Sequence, residues 1–529
     1  MRIKYIFIIF ILQYYKIAIA QEKIAIATSI YSPVNSIFLN PATSVDSKAF
    51  AQLNLAMANV YFLNNQVFLP KFSLSAAIKG KINDPQLITS KQKKFFYTNL
   101  SIDGPAFILS NKEIGIGFFT RARGIVDIRN VPYQITSILL NQDLPTTIPN
   151  KYSLNLRNVK ISAMAWAEYG VNFGKMIRKK RDVIISAAGN LRFLTGIGLE
   201  YFNLEKLKIN ADSKLLDIEL KGKSRFSNPS WNAGKGVGLD IGITYQKMKE
   251  GIDNYYANSR KSDCITPNYK YKVGASLIDF GAMRFTKQTI KASIDSKLQI
   301  TNYSKANSIN DIFNSNLSVS NSTNPVIAVL PTAISAQLDY NFGHHINIAG
   351  TLMQNIVLAR VTGVQRLSFL CISPRWATKN IEIATPVTLQ KYKYLQLGIM
   401  FRFRSFVLGI ENALPLFIKT NLKGANIYIG IGATMFKNPS CREIKLRKKK
   451  MKNYNWNIKH LKEKFKLKPK ADTPKENDFL IEKKTEIPPI VDCPKIEDET
   501  KTKNQNKKDF FKFFRKKQKN ESEKEIIIK

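Results

Sequence analysis

Pro331-Thr332-Ala333-Ile334-Ser335-Ala336-Gln337-Leu338-Asp339-Tyr340-Asn341-Phe342 alternates two kinds of side chain with period two. Thr332, Ile334, Ala336, Leu338, Tyr340 and Phe342 fall on one face of an extended strand; Ala333, Ser335, Gln337, Asp339 and Asn341 fall on the other. At about 3.3 Å per residue and a tilt near 45°, a stretch of this length covers roughly the 25–30 Å of a bilayer's hydrocarbon core. One such strand also suits the edge of a soluble sandwich. The repetition settles the matter.

Gly236 to Gln246 sets Val237, Leu239, Ile241, Ile243 and Tyr245 against Gly238, Asp240, Gly242, Thr244 and Gln246. Ile290 to Ile300 sets Ile290, Ala292, Ile294 and Leu298 against Lys291, Ser293, Asp295, Lys297 and Gln299. Leu395, Leu397, Ile399, Phe401 and Phe403 alternate with Gln396, Gly398, Met400, Arg402 and Arg404, and Asn426 to Phe436 continues with Ile427, Ile429, Ile431, Ala433 and Met435. Repeated alternation over about ten residues is the signature of a transmembrane β-barrel. The fold class is therefore all-β, a single large antiparallel barrel over residues 50–437. Counting back from the last strand gives about 16 strands, with 14 open because Phe96 to Leu109 reads either way.

Arg2 and Lys4 precede an apolar run from Ile6 to Leu12, and a small-x-small site ends at Ala20, so residues 1–20 read as a secretory signal peptide. Residues 21–49 read as an N-terminal periplasmic or lumen-filling segment. Residues 438–529 read as a disordered tail: residues 441–529 hold 28 Lys and Arg against 15 Asp and Glu with few apolar side chains. If both ends of the sheet face the periplasm, that tail is periplasmic too. The Gly343-His344 turn, the break near Ser405 and the Thr286 to Thr289 link then fall on the periplasmic side, beside the basic run Arg178 to Arg181. Lys247 to Lys270, Thr301 to Asn324 and Gly124 to Asn158 fall outside.

The formal net charge of +42 invites a nucleic-acid reading. The charge is spread over strands and loops without a recognition helix, and an exported barrel does not meet cytoplasmic nucleic acid. Outer-membrane lipid and lipopolysaccharide are the expected partners of the barrel, and cell-wall polymer or a periplasmic protein those of the tail. Cys264, Cys371, Cys441 and Cys493 lack metal-site spacing, and His344, His345 and His460 form no triad with a nucleophile and an acid. No cofactor, metal or catalytic site is expected. The inward positions predicted to line the lumen are Lys160, Glu168, Asn190, Arg192, Glu200, Asp240, Asp295, Lys297, Gln337, Asp339, Arg402 and Arg404.

Asn40-Pro41-Ala42, ahead of the first strand, resembles the entrance segment of FadL-type and PorP/SprF-type outer-membrane barrels. Further blocks resemble an uncharacterised barrel family of the Bacteroidetes: Arg129-Asn130-Val131-Pro132, Lys272 to Gly281, Leu330-Pro331-Thr332 with Asp339-Tyr340-Asn341, and Gly424 to Gly430. The resemblance spans roughly residues 30–437 and implies a barrel in the outer membrane. Two roles are compatible with it: a channel for small solutes, or a structural barrel anchoring a cell-envelope, secretion or motility complex.

The signal and the strands together place the protein in the outer-membrane fraction, with heat-modifiable migration on a gel. Recovery as a soluble periplasmic protein would contradict the barrel.

Overall fold

The computed structural model describes residues 23–90, 92–133, 152–180, 182–212, 215–250, 269–301, 319–357 and 362–436. The expected signal peptide and basic tail, Cys264, Cys441, Cys493 and His460 lie outside the described residues, as do most of the Lys247 to Lys270 and Thr301 to Asn324 connections.

The chain forms a closed antiparallel barrel of 14 strands. They are β1 (Ala51–Asn64), β2 (Lys94–Asn111), β3 (Ile114–Val131), β4 (Tyr152–Lys180), β5 (Val183–Ala211), β6 (Leu215–Ser227 and Gly234–Met248) and β7 (Tyr269–Phe285 and Thr289–Thr301). Then follow β8 (Val319–Ser322, Val326–Val329 and Ala333–Gly343), β9 (Ile346–Asn355), β10 (Phe369–Ala377), β11 (Ile381–Ala384 and Val387–Gln390), β12 (Tyr394–Leu397 and Ile399–Phe403), β13 (Phe406–Ile410) and β14 (Gly424–Met435). β1 pairs with β2 on one side and with β14 on the other, from Ala51↔Met435 to Leu63↔Gly424, so the sheet has no free edge.

Side-chain facing follows the alternation. Ile334, Leu338 and Phe342 point out and are 50–59% exposed, while Ser335, Asp339 and Asn341 are buried inside. Val237, Ile241 and Ile243 point out against buried Asp240, Thr244 and Gln246. An outward surface this apolar requires lipid around it. Thr332 departs from the pattern: it lies in the interruption of β8 just before Ala333, is buried, and donates its hydroxyl to the Asp279 carbonyl at 2.8 Å.

Short turns gather at the end where β1 begins and β14 finishes, and one is the hairpin at His344 and His345. Both histidines adopt left-handed φ, 47° and 70°, as a two-residue hairpin requires. Outward aromatics ring this end: Tyr340, Phe342, Trp376, Phe403 and Phe406 are exposed beside the turns, and Tyr245 stacks with Tyr271 at 6.3 Å. Such a girdle marks a membrane interface.

Two topological expectations are corrected. The Thr286 to Thr289 link is an interruption within β7, which continues beyond it along β6. The Lys247 to Lys270 connection consequently lies at the short-turn end, not the opposite one. β6 is interrupted alongside at Asn228–Ala233, so the two breaks cancel and the parity of earlier strands is unaffected. Alternation alone cannot distinguish a kink within a long strand from a turn between two short ones.

Ile241 lies mid-strand on the outer face, so Ile241→Arg should cost about 2–4 kcal/mol of stability in a bilayer. Urea titration of the protein folded into vesicles measures this; no change would mean that the assigned register is wrong.

Candidate functional site in the barrel lumen

Residues 23–49 lie inside the barrel. They form two single-turn helices, α1 (Ile24–Ala27) and α2 (Pro33–Ser36), then a 3₁₀ turn (Pro41–Ser44), and nearly every residue is buried. Asn40 organises this inner segment. Its carboxamide oxygen accepts the Ala42 N–H at 3.0 Å, capping the turn, and Pro41 supplies a preset φ at the first position. The Asn40 amide nitrogen donates to Gln337 Oε1 at 2.9 Å and to the Ile243 carbonyl at 3.1 Å, tying the segment to β8 and β6.

The wall provides space for this turn. A Cβ on Gly242 would sit 2.1 Å from Asn40 Oδ1 and 2.9 Å from Pro41 Cδ. Further side chains reach the segment's backbone: Asn190 donates to the Ile37 carbonyl at 3.1 Å, Ser276 to that of Leu39 at 2.6 Å and Ser110 to that of Val45 at 2.9 Å. No ladder joins the segment to the wall among the described residues; side chains hold it.

A buried ion cluster stands against the inner segment. Glu168 accepts from Arg121 at 2.8 Å, from Arg123 and Arg192 at 3.3 Å, and from the Trp166 indole at 2.7 Å. Asp279 takes Arg123 at 2.9 Å, Arg192 at 2.6 Å and Arg366 at 2.7 Å. Asp240 pairs with Arg192, accepts the Asp279 N–H at 2.7 Å and accepts Asn190 at 2.9 Å. Arg121 also lies 4.2 Å over the Phe38 ring of the inner segment. Lys23, at the segment's start, pairs with Asp103 of β2; burial, with the neighbouring Arg121 and Arg123 charges, lowers its pKa well below the usual lysine range.

Arg366 comes from the connection between β9 and β10, whose residues 362–367 turn into the lumen. Thr362, Val364 and Arg366 are buried, and Val364 joins an apolar cluster with Tyr97, Trp166, Leu194, Phe285 and Leu330. The lumen is thus filled from both ends, and the cluster touches both fillings.

The predicted lumen positions divide. Glu168, Asn190, Arg192 and Asp240 converge in the cluster. Gln337 binds Asn40, while Asp339 accepts Tyr269 at 3.0 Å and pairs with Arg375. Arg402 pairs with Glu382 at 2.9 Å and lies 5.1 Å over the Tyr31 ring. Lys160 is half-buried, eight residues along β4 from Glu168, and does not join the cluster.

Four positions are corrected. Glu200 lies out of phase with the inward Leu199, because a bulge opposite Ala165 and Trp166 inserts one extra residue in β5 and flips its facing. Asp295 and Lys297 are exposed, on a part of β7 paired with β6 away from the cluster, where Asp295 instead meets Lys221 at 2.6 Å. Arg404 is exposed in the turn after β12, with φ 54°.

Sequence reasoning overlooked Arg121, Arg123, Asp279 and Arg366. Arg121 and Arg123 sit at period two in β3 and were findable. Asp279 lies in a bulge where Ile278 and Asp279 oppose Asp240, so alternation gives no cue, and Arg366 lies outside any strand.

Removing one partner from a buried ionic group leaves uncompensated charge, at a cost of about 3–5 kcal/mol. Asp279→Ala, which takes one carboxylate away from three guanidiniums, should lower stability by that amount; Asp295→Ala, at an exposed pair, should cost about 0–1 kcal/mol. Equal effects in denaturant titrations would show that the cluster is not the stabilising unit.

Comparison with curated proteins finds no significant match. Among solved structures the chain is similar to the toluene transporter TbuX of Ralstonia pickettii, with 8% identity, 76% of this chain and 93% of that chain covered, and a TM-score of 0.36. It is similar to the toluene transporter TodX of P. putida, with 8% identity, coverage of 77% and 95%, and a TM-score of 0.36. A TodX monoaromatic hydrocarbon channel lacking S2 and S3 gives 9% identity, the same coverage and a TM-score of 0.37. Residues 41–410, from the Asn40-Pro41 turn through β13, match a family model, and the chain belongs to that family of unknown function, DUF5723.

Proposed function

We propose that this barrel sits in the outer membrane and passes small solutes through a lumen that its own residues 23–49 close at rest. The observation that carries this reading is how the inner segment is held: through side-chain hydrogen bonds centred on Asn40, without strand pairing to the wall. Such contacts can release and re-form while the barrel's ladder stays intact. The apolar outer face and aromatic girdle support the membrane setting.

The inward acids support a non-enzymatic role, since Glu168, Asp240 and Asp279 are each engaged by arginine. The finer likeness to PorP/SprF-type barrels and to a Bacteroidetes family rests on the quoted sequence blocks, and with it the second role, an anchor without transport. A periplasmic tail meeting cell-wall polymer or a periplasmic protein rests on the tail's basic charge.

Planar-bilayer conductance tests the channel. Wild type should show little steady current. Gly242→Leu, whose side chain displaces the Asn40-Pro41 turn, should raise it several-fold while heat-modifiable migration is kept. A folded variant as silent as wild type would favour the anchor.

A further inference from the structure

A cavity lies between the inner segment and the wall of β6, β7 and β8. The register fixes what faces it. Thr244, Gly274 and Gln337 are partners across the three strands, and two residues nearer the short-turn end so are Gln246, Lys272 and Asp339; of these six all but Gln246 line the cavity. Gly274 contributes no side chain, and the Gln337 and Asn40 carboxamides take up that space: a Cβ there would stand 2.4 Å from Gln337 Oε1 and 2.8 Å from Asn40 Nδ2.

The polar groups here are incompletely used. Thr244 Oγ1 is buried without a hydrogen-bond partner, and the residue is 1% exposed. Asp339 engages Arg375 and Tyr269 through Oδ2, whereas its Oδ1 has no partner. Lys272 makes no close ion pair among the described residues, but the Asp46 and Asp339 carboxylates, both on the cavity lining, attract it. Buried polar atoms without a partner recur along the inner wall, at Asn347, Gln390 and Asn426 for example; here two of them, Thr244 Oγ1 and Asp339 Oδ1, border a cavity that can admit a polar guest. A cation and a half-used carboxylate side by side, with Asp46 also on the lining, favour a guest carrying both signs. No aromatic ring lines the cavity to stack against a sugar.

We propose that this cavity binds a small zwitterionic solute of the α-amino acid class, with its carboxylate on Lys272, its ammonium on Asp339 Oδ1, and Thr244 Oγ1 completing its hydrogen bonds. The inference rests on the reading of the lumen as a solute passage, whose substrate class it names. Binding is measurable without flux.

Calorimetric titration of the full chain in nanodiscs with L-alanine should show saturable binding. Acetate, methylammonium and glucose should each bind at least about tenfold more weakly, because a charge-assisted contact contributes about that factor. Lys272→Gln should weaken alanine binding by a similar factor and Thr244→Val several-fold, both with heat-modifiable migration retained. Absence of alanine binding by wild type, glucose or acetate binding as tightly as alanine, or indifference to both substitutions would overturn the proposal. Alanine binding in a barrel that Gly242→Leu never opens would keep the site and sink the passage; current without alanine binding would do the reverse.

Discussion

A guanidinium taken out of water needs an anion and nearly all of its hydrogen bonds, and four of them, Arg121, Arg123, Arg192 and Arg366, meet in the middle of this barrel. Among the described residues, Glu168, Asp240 and Asp279 are the carboxylates that receive them. Desolvation makes such a group costly unless its geometry is complete. Each carboxylate accordingly takes several donors, and the Trp166 indole, the Asn190 amide and the Asp279 N–H occupy remaining acceptor sites. The strands that supply the cluster, β3 to β7, are fixed in register by this requirement as much as by their outer faces.

From that cluster, connections run toward both fillings of the lumen. Asn190 holds the Asp240 carboxylate and also the Ile37 carbonyl, so the inner segment shares a residue with the ion network. Arg366 brings the connection after β9 to Asp279. Movement of either filling therefore bears on the same charges. A wide porin lumen has no such arrangement; there, inward polar groups meet water. Here they meet the chain itself, which makes the filling a folded part of the protein.

Much of the fold was legible because a barrel wall imposes one rule, apolar out and polar in, on every spanning residue. Val237 to Gln246, Leu395 to Phe403 and Ile427 to Met435 all obey it. The rule fails where backbone geometry changes: at the bulge that turns Glu200 out of phase, at the bulge holding Asp279, and at the interruption Thr286–Gln288 that imitates a turn. Strand patterns picked out three of the seven charged residues of the cluster, Glu168, Arg192 and Asp240, and the period-two spacing of Arg121 and Arg123 made those two findable as well. Asp279 and Arg366 depend on a bulge and on a loop entering the lumen, and neither leaves a local trace. The Asn40-Pro41-Ala42 signal was visible as a resemblance; its partners Gln337 and Gly242 lie hundreds of residues away, where only the closed barrel brings them together.

Amide hydrogen exchange of the full chain in nanodiscs tests most directly whether residues 23–49 are a folded filling tied to the ion cluster. The backbone N–H groups of Ser36, Ile37, Leu39 and Asn40, bonded within the segment at 3.0–3.1 Å, should exchange slowly in wild type and markedly faster in Asp279→Ala, with the β9 and β10 ladder still protected. Exchange of those amides in wild type at the rate of an unstructured peptide, or protection indifferent to Asp279→Ala, would contradict the account.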